Sequence, residues 1–249
     1  MPSNFKDLFS AQSVDYARYR PVYPSALFDY LATTAPSRGV AWDCGTGNGQ
    51  AAIALAERFD RVAATDVSDK QIGKAAPHPR ISYRIAPAET SGLADSSIDC
   101  ITVAQAFHWF RQEDFFTEVR RVLRSGGILA IWSYNLCRIT PEVDAEVLHL
   151  YRDLLGPWWE KERALVEEGY ASVTLPLQEL PAPRFKMSAD WTVDHLIGYL
   201  GTWSALQSCI SKGGYNPLIE MEPLLRNAWG ADPARTVSWE LSLRICRKD

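Results

Sequence analysis

The sequence predicts an α/β fold, a Rossmann-like doubly wound sheet, and three observations predict it. From residue 40 onward, short apolar runs alternate with amphipathic segments, which is the rhythm of strands and helices in a parallel sheet. A glycine-rich turn, Gly45-Thr46-Gly47-Asn48-Gly49, joins the first apolar run to the first amphipathic segment. An acidic residue, Asp66, closes the second apolar run at the distance, about 20 residues, that nucleotide-type sites of this fold use.

The elements follow in order. VAWDCG (40–45) reads as the first strand and QAAIALAERF (50–59) as the helix after the glycine turn. RVAATDVS (61–68) is the second strand, followed by a short helix from Asp69 to Ala76 that Pro77 and Pro79 break. ISYRIAPAE (81–89) and IDCITVAQA (98–106) are the third and fourth strands. DFFTEVRRVLRSGG (114–127) reads as a helix with Val119, Val122 and Leu123 on one face, ended by its two glycines. ILAIWSY (128–134) is the fifth strand. After Tyr134 the rhythm is lost in an acidic, Trp-rich helical stretch (139–169) and a proline-punctuated segment (176–185), which together read as an insertion. Helices from about Thr192 to Ile210 and from Pro217 to Trp229 and a last strand, 235–248, complete the chain.

With 249 residues, 47% hydrophobic and 22% charged, the composition is that of a globular chain with one core. The expected organisation is a single domain, 1–249, with a core at about 37–135 and 184–249 and a substrate-side insertion at about 136–183. A net charge of −4 argues against a nucleic-acid backbone as the main partner, which would call for a basic surface. Five cysteines, odd in number and without C-x-x-C spacing, suggest neither a disulfide framework nor a zinc site, and reduced thiols of a cytoplasmic protein are the simplest reading. No apolar run has the makings of a signal-peptide core or of a membrane span of roughly 20 residues. A cytoplasmic protein without a membrane partner is therefore expected. The oligomeric state is not legible.

The most specific feature is Asp43-Cys44-Gly45-Thr46-Gly47-Asn48-Gly49. Glycines at such a strand-to-helix turn let the backbone bend sharply and approach a ligand closely. Dinucleotide loops are spaced G-x-G-x-x-G, which would put the third glycine at Gln50, whereas here it is Gly49. Asp43 beside a pyrophosphate would be repelled, and beside a cation it is attracted. S-adenosyl-L-methionine carries a sulfonium and an ammonium and no phosphate, so D-x-G-x-G-x-G favours that cofactor, with S-adenosyl-L-homocysteine as its product, over a nicotinamide. A glycine turn with no ligand is the plain alternative. Asp66 is placed to accept hydrogen bonds from ribose hydroxyls, or else to cap the next helix. Val67 is placed against the adenine face. Ala88-Glu89, after the third strand, would reach the adenine edge, with Glu89 as a solvated loop charge for the alternative.

These residues resemble a known family, the class I S-adenosylmethionine-dependent methyltransferases of the type 11 group, in the branch named after trans-aconitate methyltransferase. The resemblance runs along nearly the whole chain. Its anchors are Tyr16 to Pro24, the loop Asp43 to Gly49, Ala88-Glu89, Ala106-Phe107-His108-Trp109-Phe110, Arg121-Val122-Leu123 with Gly126-Gly127, and Tyr199 to Ser204. It implies a seven-stranded sheet whose last strand is antiparallel, a cofactor across the carboxyl ends of the first, second and fourth strands, and an N-terminal lid at about 1–25. It also implies that the backbone of Ala104 and Gln105 meets the methionine ammonium and that Tyr16 or Arg20 meets its carboxylate. On residue chemistry alone Arg20 is equally an exposed charge at a helix end. Cys44 departs from the aliphatic residue usual in the loop, a small change because buried cysteine behaves as a small hydrophobe.

Methyl transfer is an in-line displacement at an already activated carbon, so positioning can carry the reaction, and the sequence holds no obvious triad. The candidate catalytic residue is His108, just after the fourth strand. It can serve as a base toward a hydroxyl or amine, as a contact to a carboxylate substrate that needs no base, or as packing for Trp109. The expected partner is a small-molecule methyl acceptor, O-methylated on a carboxylate or hydroxyl. An N- or C-methyltransferase, or a module that binds the cofactor without turnover, are the alternatives. Trp158, Trp159, Trp191 and Trp203 either wall a small acceptor or pack the insertion, and Arg138, Arg152, Arg163, Arg184 and Lys186 are candidate partners for an acceptor's carboxylate or solvated surface charges. No metal site is expected.

Overall fold

The structure, a computed structural model, describes residues 19–249. Tyr16 lies outside the described residues. Helix α1 (Ser25–Thr34) begins after Pro24, whose φ of −68° leads into it. It buries Leu27, Phe28, Leu31 and Ala32, the stripe expected of a 3.6-residue period. The alternating core then follows as β1 (Val40–Cys44), α2 (Gln50–Ala56), β2 (Arg61–Asp66), α3 (Asp69–Ile72), β3 (Ile81–Ile85), β4 (Ile98–Ala104), α4 (Gln112–Val122) and β5 (Leu123–Tyr134). Strands β1, β2 and β4 are buried along almost their whole length, as strands covered on both faces must be. Beyond β5 lie α5 (Pro141–His149), α6 (Arg163–Glu167), β6 (Gln178–Leu180), β7 (Phe185–Trp191), α7 (Val193–Gly201), α8 (Ser204–Gly213), α9 (Leu218–Trp229) and β8 (Arg235–Arg247).

The sheet order is β3-β2-β1-β4-β5-β8-β6, with β7 pairing β8. Strands β1 to β5 pair in parallel, and β8 runs antiparallel to β5 from Ile128↔Arg247 to Tyr134↔Leu241. The doubly wound sheet with its antiparallel last strand is as expected, and β6 and β7 bring it to eight strands. The proline-punctuated stretch at 176–185 gave no strand signal because the residues of β6 are mostly exposed and do not alternate. What holds β6 is its pairing with β8, from Gln178↔Arg247 to Leu180↔Ile245, together with the Arg244 fork on Glu179, at 2.9 and 2.8 Å.

Two sequence expectations are corrected. The helix expected to run to Gly127 ends at Val122, and β5 begins at Leu123, five residues before the expected 128. Gly126 and Gly127 do not cap a helix. They form an irregularity inside the strand, where the β4–β5 register shifts between Ile98 and Cys100, Gly126 adopts φ +76°, and a Cβ on Gly127 would lie 2.8 Å from the Arg124 carbonyl. The helix expected over 192–210 is two helices, α7 and α8. Thr202 turns its hydroxyl onto the Tyr199 carbonyl at 2.7 Å, and Trp203 is extended with ψ 132°.

The chain forms two compact units. The first, Val22–Asn135, Ala164–Lys186 and Glu240–Asp249, holds the parallel sheet. In its core Trp42, Ile101, Val103, Leu129 and Ile131 meet Phe115, Phe116, Val119 and Val122 of α4. The second draws on Leu136–Arg163 and Met187–Trp239 with residues 19–21. Its interior is aromatic: Tyr151, Trp159 and Trp203 lie 4.8 to 5.7 Å apart by ring centroid, and Trp191 and Tyr199 pack on Trp239. No helix among the described residues is long and apolar enough to cross a membrane.

Candidate functional site

Between β1 and β4 the strand order reverses direction from the first strand, so the connections after these two strands diverge and a crevice opens at their carboxyl ends. The glycine loop lies there. Gly45, Gly47 and Gly49 all have left-handed φ, +70°, +56° and +88°, which side chains with a Cβ resist. Their surroundings differ. A Cβ on Gly45 would lie 2.6 Å from Ala106 Cβ, and one on Gly49 would lie 2.5 Å from the Tyr83 hydroxyl, whereas one on Gly47 would meet nothing within 4 Å. Two of the glycines are required by close protein packing; Gly47 presents bare backbone to open space, as a loop that takes a ligand needs.

Asp43 is fully buried beneath this loop. Its oxygens accept hydrogen bonds from the hydroxyls of Thr46 at 2.6 Å and Thr102 at 2.8 Å. Burial raises its pKa from 3.8, against the pull of those two hydroxyls and with a push from Asp66, to about 6. The carboxylate of Asp43, expected from its spacing to lie next to a cation, is buried below the loop and does not lie on its surface. Thr46 and Thr102 were not anticipated, because Thr46 is a spacer between the loop glycines and a hydroxyl such as Thr102 on an apolar strand has no sequence signature.

At the end of β2, Asp66 Oδ2 accepts the Gly47 N–H at 2.8 Å and Oδ1 the Ser68 N–H at 2.9 Å. Burial raises its pKa and these backbone bonds oppose the rise. The cap of α3 is Ser68, whose hydroxyl accepts from Gln71 N, so the helix-cap reading of Asp66 is removed. Val67 beside it is an exposed apolar side chain, 39% accessible. Ala88 is buried. Glu89 is not a solvated loop charge: its side chain is 10% exposed, and Oε1 accepts the Arg111 N–H at 2.9 Å.

At the end of β4, Ala104 pairs with Trp132, and Gln105 has φ +55°, an unfavourable conformation for a residue other than glycine. Its N–H donates to the Trp132 carbonyl at 3.0 Å and its side-chain amide to the Tyr134 carbonyl at 2.9 Å. A short 3₁₀ turn, Phe107–Trp109, follows. It buries Phe107 in the core and leaves His108 half-buried, with Nδ1 3.1 Å from the Tyr170 hydroxyl. Tyr170 was not singled out from the sequence, being remote in the chain and flanked by no motif.

Asp43, the three loop glycines, Asp66, Val67, Ala88, Glu89, Ala104, Gln105 and His108 thus all belong to the sheet unit and sit at or just beyond the carboxyl ends of its strands. Arg20 belongs to the other unit. There it is half-buried, donating to the Thr202 carbonyl at 3.3 Å and lying 5.3 Å over the Tyr199 ring, which removes its reading as an exposed helix-end charge. Of the other cations, Arg163 lies over the Tyr151 and Trp159 rings and Arg138 is 77% exposed beside Asp144. Arg152, Arg184 and Lys186 are exposed. No cluster of metal-ligating side chains occurs among the described residues, and the five cysteines are free and buried.

Comparison with known proteins converges on one family. A family model described as a methyltransferase domain, of the type 11 group, matches residues 42–131, the stretch that carries the glycine loop, Asp66 and β4. The chain is similar to a candidate methyltransferase of Dictyostelium discoideum, 33% identical over 92% of this chain and 88% of that one. It is also similar to a candidate S-adenosylmethionine-dependent methyltransferase of Saccharomyces cerevisiae, 30% identical over 79% of this chain and 80% of that one. Among solved structures it resembles a candidate type II methyltransferase from Anaeromyxobacter dehalogenans at 46% identity, with a TM-score of 0.85 over 92% of this chain and 98% of that one. With its fold and loop already in the same pattern, the chain belongs to the class I methyltransferases that use S-adenosylmethionine.

Proposed function

We propose that this methyltransferase acts on a small organic acid and places the methyl group on a carboxylate oxygen. The observation that carries the reading is the position of one imidazole. His108 stands in the turn directly after Ala104-Gln105, at the carboxyl edge of the sheet and half-buried, with Nδ1 3.1 Å from the Tyr170 hydroxyl, which puts an imidazole beside the residues read as holding the cofactor. The net charge of −4 supports a small molecule over a nucleic acid, and the resemblance to the trans-aconitate branch supports an acid.

In this reading the backbone of Gly45 to Gly49 lies along the cofactor's methionine and ribose, and the Asp43 charge beneath the loop attracts its cationic end. Asp66 accepts from the ribose hydroxyls, exchanging at least one of its present backbone donors. Val67 lies on the adenine face, and Ala88 and Glu89 border its edge. The left-handed Gln105 leaves its N–H on Trp132, and the carbonyls of Ala104 and Gln105 are the groups that suit an ammonium. The bound cofactor supplies a methyl group on a positively charged sulfur, so that the C–S pair passes to sulfur as the new O–CH₃ bond takes its electrons from the carboxylate. No proton has to move. What the chain contributes is alignment, which can be worth roughly 7–11 kcal/mol of barrier, and His108 hydrogen-bonds the acid to hold it in line.

A hydroxyl acceptor with His108 as general base is the second reading, favoured by the same imidazole. A radiolabelled methyl-transfer screen with trans-aconitate, other small carboxylic acids, phenols and amines separates the two once it is followed by pH–rate profiles of wild type and His108→Ala. Methylation of an acid with most of kcat retained in the mutant is the expected result. Methylation of a phenol or amine, with a loss of roughly 10²–10⁴ in the mutant and of the rise near neutrality, would replace the carboxylate by a deprotonated acceptor.

A further inference from the structure

The turn that carries His108, Ala106 to Phe110, is held at its start, along its length and at its end. At the start, left-handed Gln105 puts its N–H on the Trp132 carbonyl and its side-chain amide on the Tyr134 carbonyl. Along its length Ala106 and Phe110 close on the glycine loop, where a Cβ on Gly45 would lie 2.6 Å from Ala106 Cβ and 3.2 Å from the Phe110 ring. At the end, the N–H of Arg111 donates to Glu89 Oε1 at 2.9 Å, the Glu89 side chain being nearly buried. Glu89 comes from the connection after β3, 22 residues earlier. Helix α4 already has what a helix start needs without it. Arg111 precedes α4 and its side chain, having no acceptor, cannot cap the helix. Three residues on, where a capping acceptor usually stands, Asp114 takes the Arg111 Nε at 2.7 Å. Glu113 and Asp114 place negative charge in the first turn. The same connection is fastened to α4 a second time: the Ser91 N–H and hydroxyl donate to Glu118 Oε1 at 2.8 and 2.5 Å, and Arg121 forks on that carboxylate at 2.8 and 2.7 Å. What the Glu89 carboxylate adds is therefore a link between two connections at the carboxyl edge, the one read as bordering the adenine and the one that carries His108.

We propose that Glu89 is a positioning residue: its carboxylate ties the adenine-side connection to the end of the His108 turn, so that a seated cofactor sets where that turn stands for the methyl acceptor. This rests on the reading that the turn meets the acceptor. The Glu89 carboxylate then serves the neighbouring connection and not the adenine ring. Reacting groups tolerate little displacement, and a shift of about 1 Å transmitted from a distant residue can cost a factor of about 10².

The first test needs no acceptor. Amide hydrogen exchange is followed on the full chain, residue by residue over 107–111, with and without S-adenosylhomocysteine, in wild type, Glu89→Gln and Glu89→Ala. In the wild type S-adenosylhomocysteine should slow exchange across 107–111, and no slowing there overturns the proposal without any variant. Glu89→Gln keeps a side-chain oxygen for the Arg111 N–H and should keep most of the slowing. Glu89→Ala should bind S-adenosylhomocysteine within about three-fold of wild type and yet lose it. Equal slowing in Glu89→Ala overturns the proposal. So does a loss of affinity there of about ten-fold or more, which would make Glu89 a cofactor contact. Should Glu89→Ala fail to fold, Glu89→Asp, which keeps the charge and ends one methylene short, is read by the same criteria. In methyl transfer with trans-aconitate, or with whichever acid, phenol or amine of the panel is turned over, Glu89→Ala should lower kcat/KM for the acceptor about ten-fold and leave KM for S-adenosylmethionine unchanged, with a smaller loss in Glu89→Gln. If His108→Ala lowers kcat/KM and Glu89→Ala does not, the Glu89 role falls and the His108 reading stands. A loss in Glu89→Ala with none in His108→Ala keeps the tie and removes His108 as the contact.

Discussion

Asp99 and Asp43 are both fully buried on the same sheet, one at the amino end of β4 and one near the carboxyl end of β1, and their partners differ in kind. Asp99 accepts from the Val40 N–H at 2.7 Å and the Ser37 hydroxyl at 2.8 Å, and pairs with the Arg124 guanidinium at 2.9 Å. Its charge is answered inside the protein. Asp43 has two hydroxyls and the Ala52 N–H, all neutral donors, with a like charge in Asp66, and burial pushes its carboxyl up to about 6. The amino edge of the sheet meets its buried carboxylate with a cation, whereas the buried carboxylate near the carboxyl edge is met, among the described residues, by neutral donors, which suits a site for a cationic cofactor.

The comparison can be broken first on the amino side. Replacing Asp99 by alanine leaves the Val40 N–H and the Arg124 charge without their acceptor, and should lower unfolding stability by about 2–4 kcal/mol in a denaturant titration while leaving cofactor affinity in the folded protein unchanged. A fall in affinity at equal occupancy of the folded state would mean that the two edges are not separable.

On the site side the largest effect belongs to Gly47. Its φ is +56° and the space beyond it is open, so Gly47→Val should fold and yet lose cofactor affinity by at least about a hundred-fold in calorimetry, because the side chain occupies the ligand's volume. Wild-type affinity would remove the loop from the site. Asp66→Ala should be milder, about ten- to a hundred-fold weaker for S-adenosylhomocysteine, since part of what is lost with the ribose contact is the Gly47 tether that the unliganded loop also uses.

What the sequence made legible follows the same division. The sheet, its switch point and the glycine loop were readable because each is a local pattern, apolar runs of strand length and a D-x-G-x-G-x-G turn. Gly126-Gly127 misled because glycine serves both helix caps and strand irregularities, and only the β4–β5 register distinguishes them. Strand β6 was invisible because pairing, not patterning, creates it. In the site, the residues given by motif spacing lie together on one unit, whereas their hydrogen-bond partners do not announce themselves: Thr46 and Thr102 on Asp43, Arg111 on Glu89, and Tyr170 on His108, 62 residues away in sequence, are brought in by the fold alone.

The central claim, that the buried charge of Asp43 exists for a cation, is tested most directly by titrating S-adenosylmethionine calorimetrically into wild type and Asp43→Asn at about pH 5 and pH 7.5. The sign follows from linkage. Because the folded carboxyl titrates near 6 and the unfolded one near 3.8, the unliganded protein loses stability as pH rises through that window, by about 3 kcal/mol from this group, and a cation bound nearby regains part of it by favouring the ionised form. Wild-type affinity should therefore rise about ten-fold between the two pH values, with proton release near pH 6, and Asp43→Asn should bind more weakly at the higher pH and show little change between them. Equal pH dependence in wild type and mutant, or wild-type affinity in Asp43→Asn at pH 7.5, would contradict it.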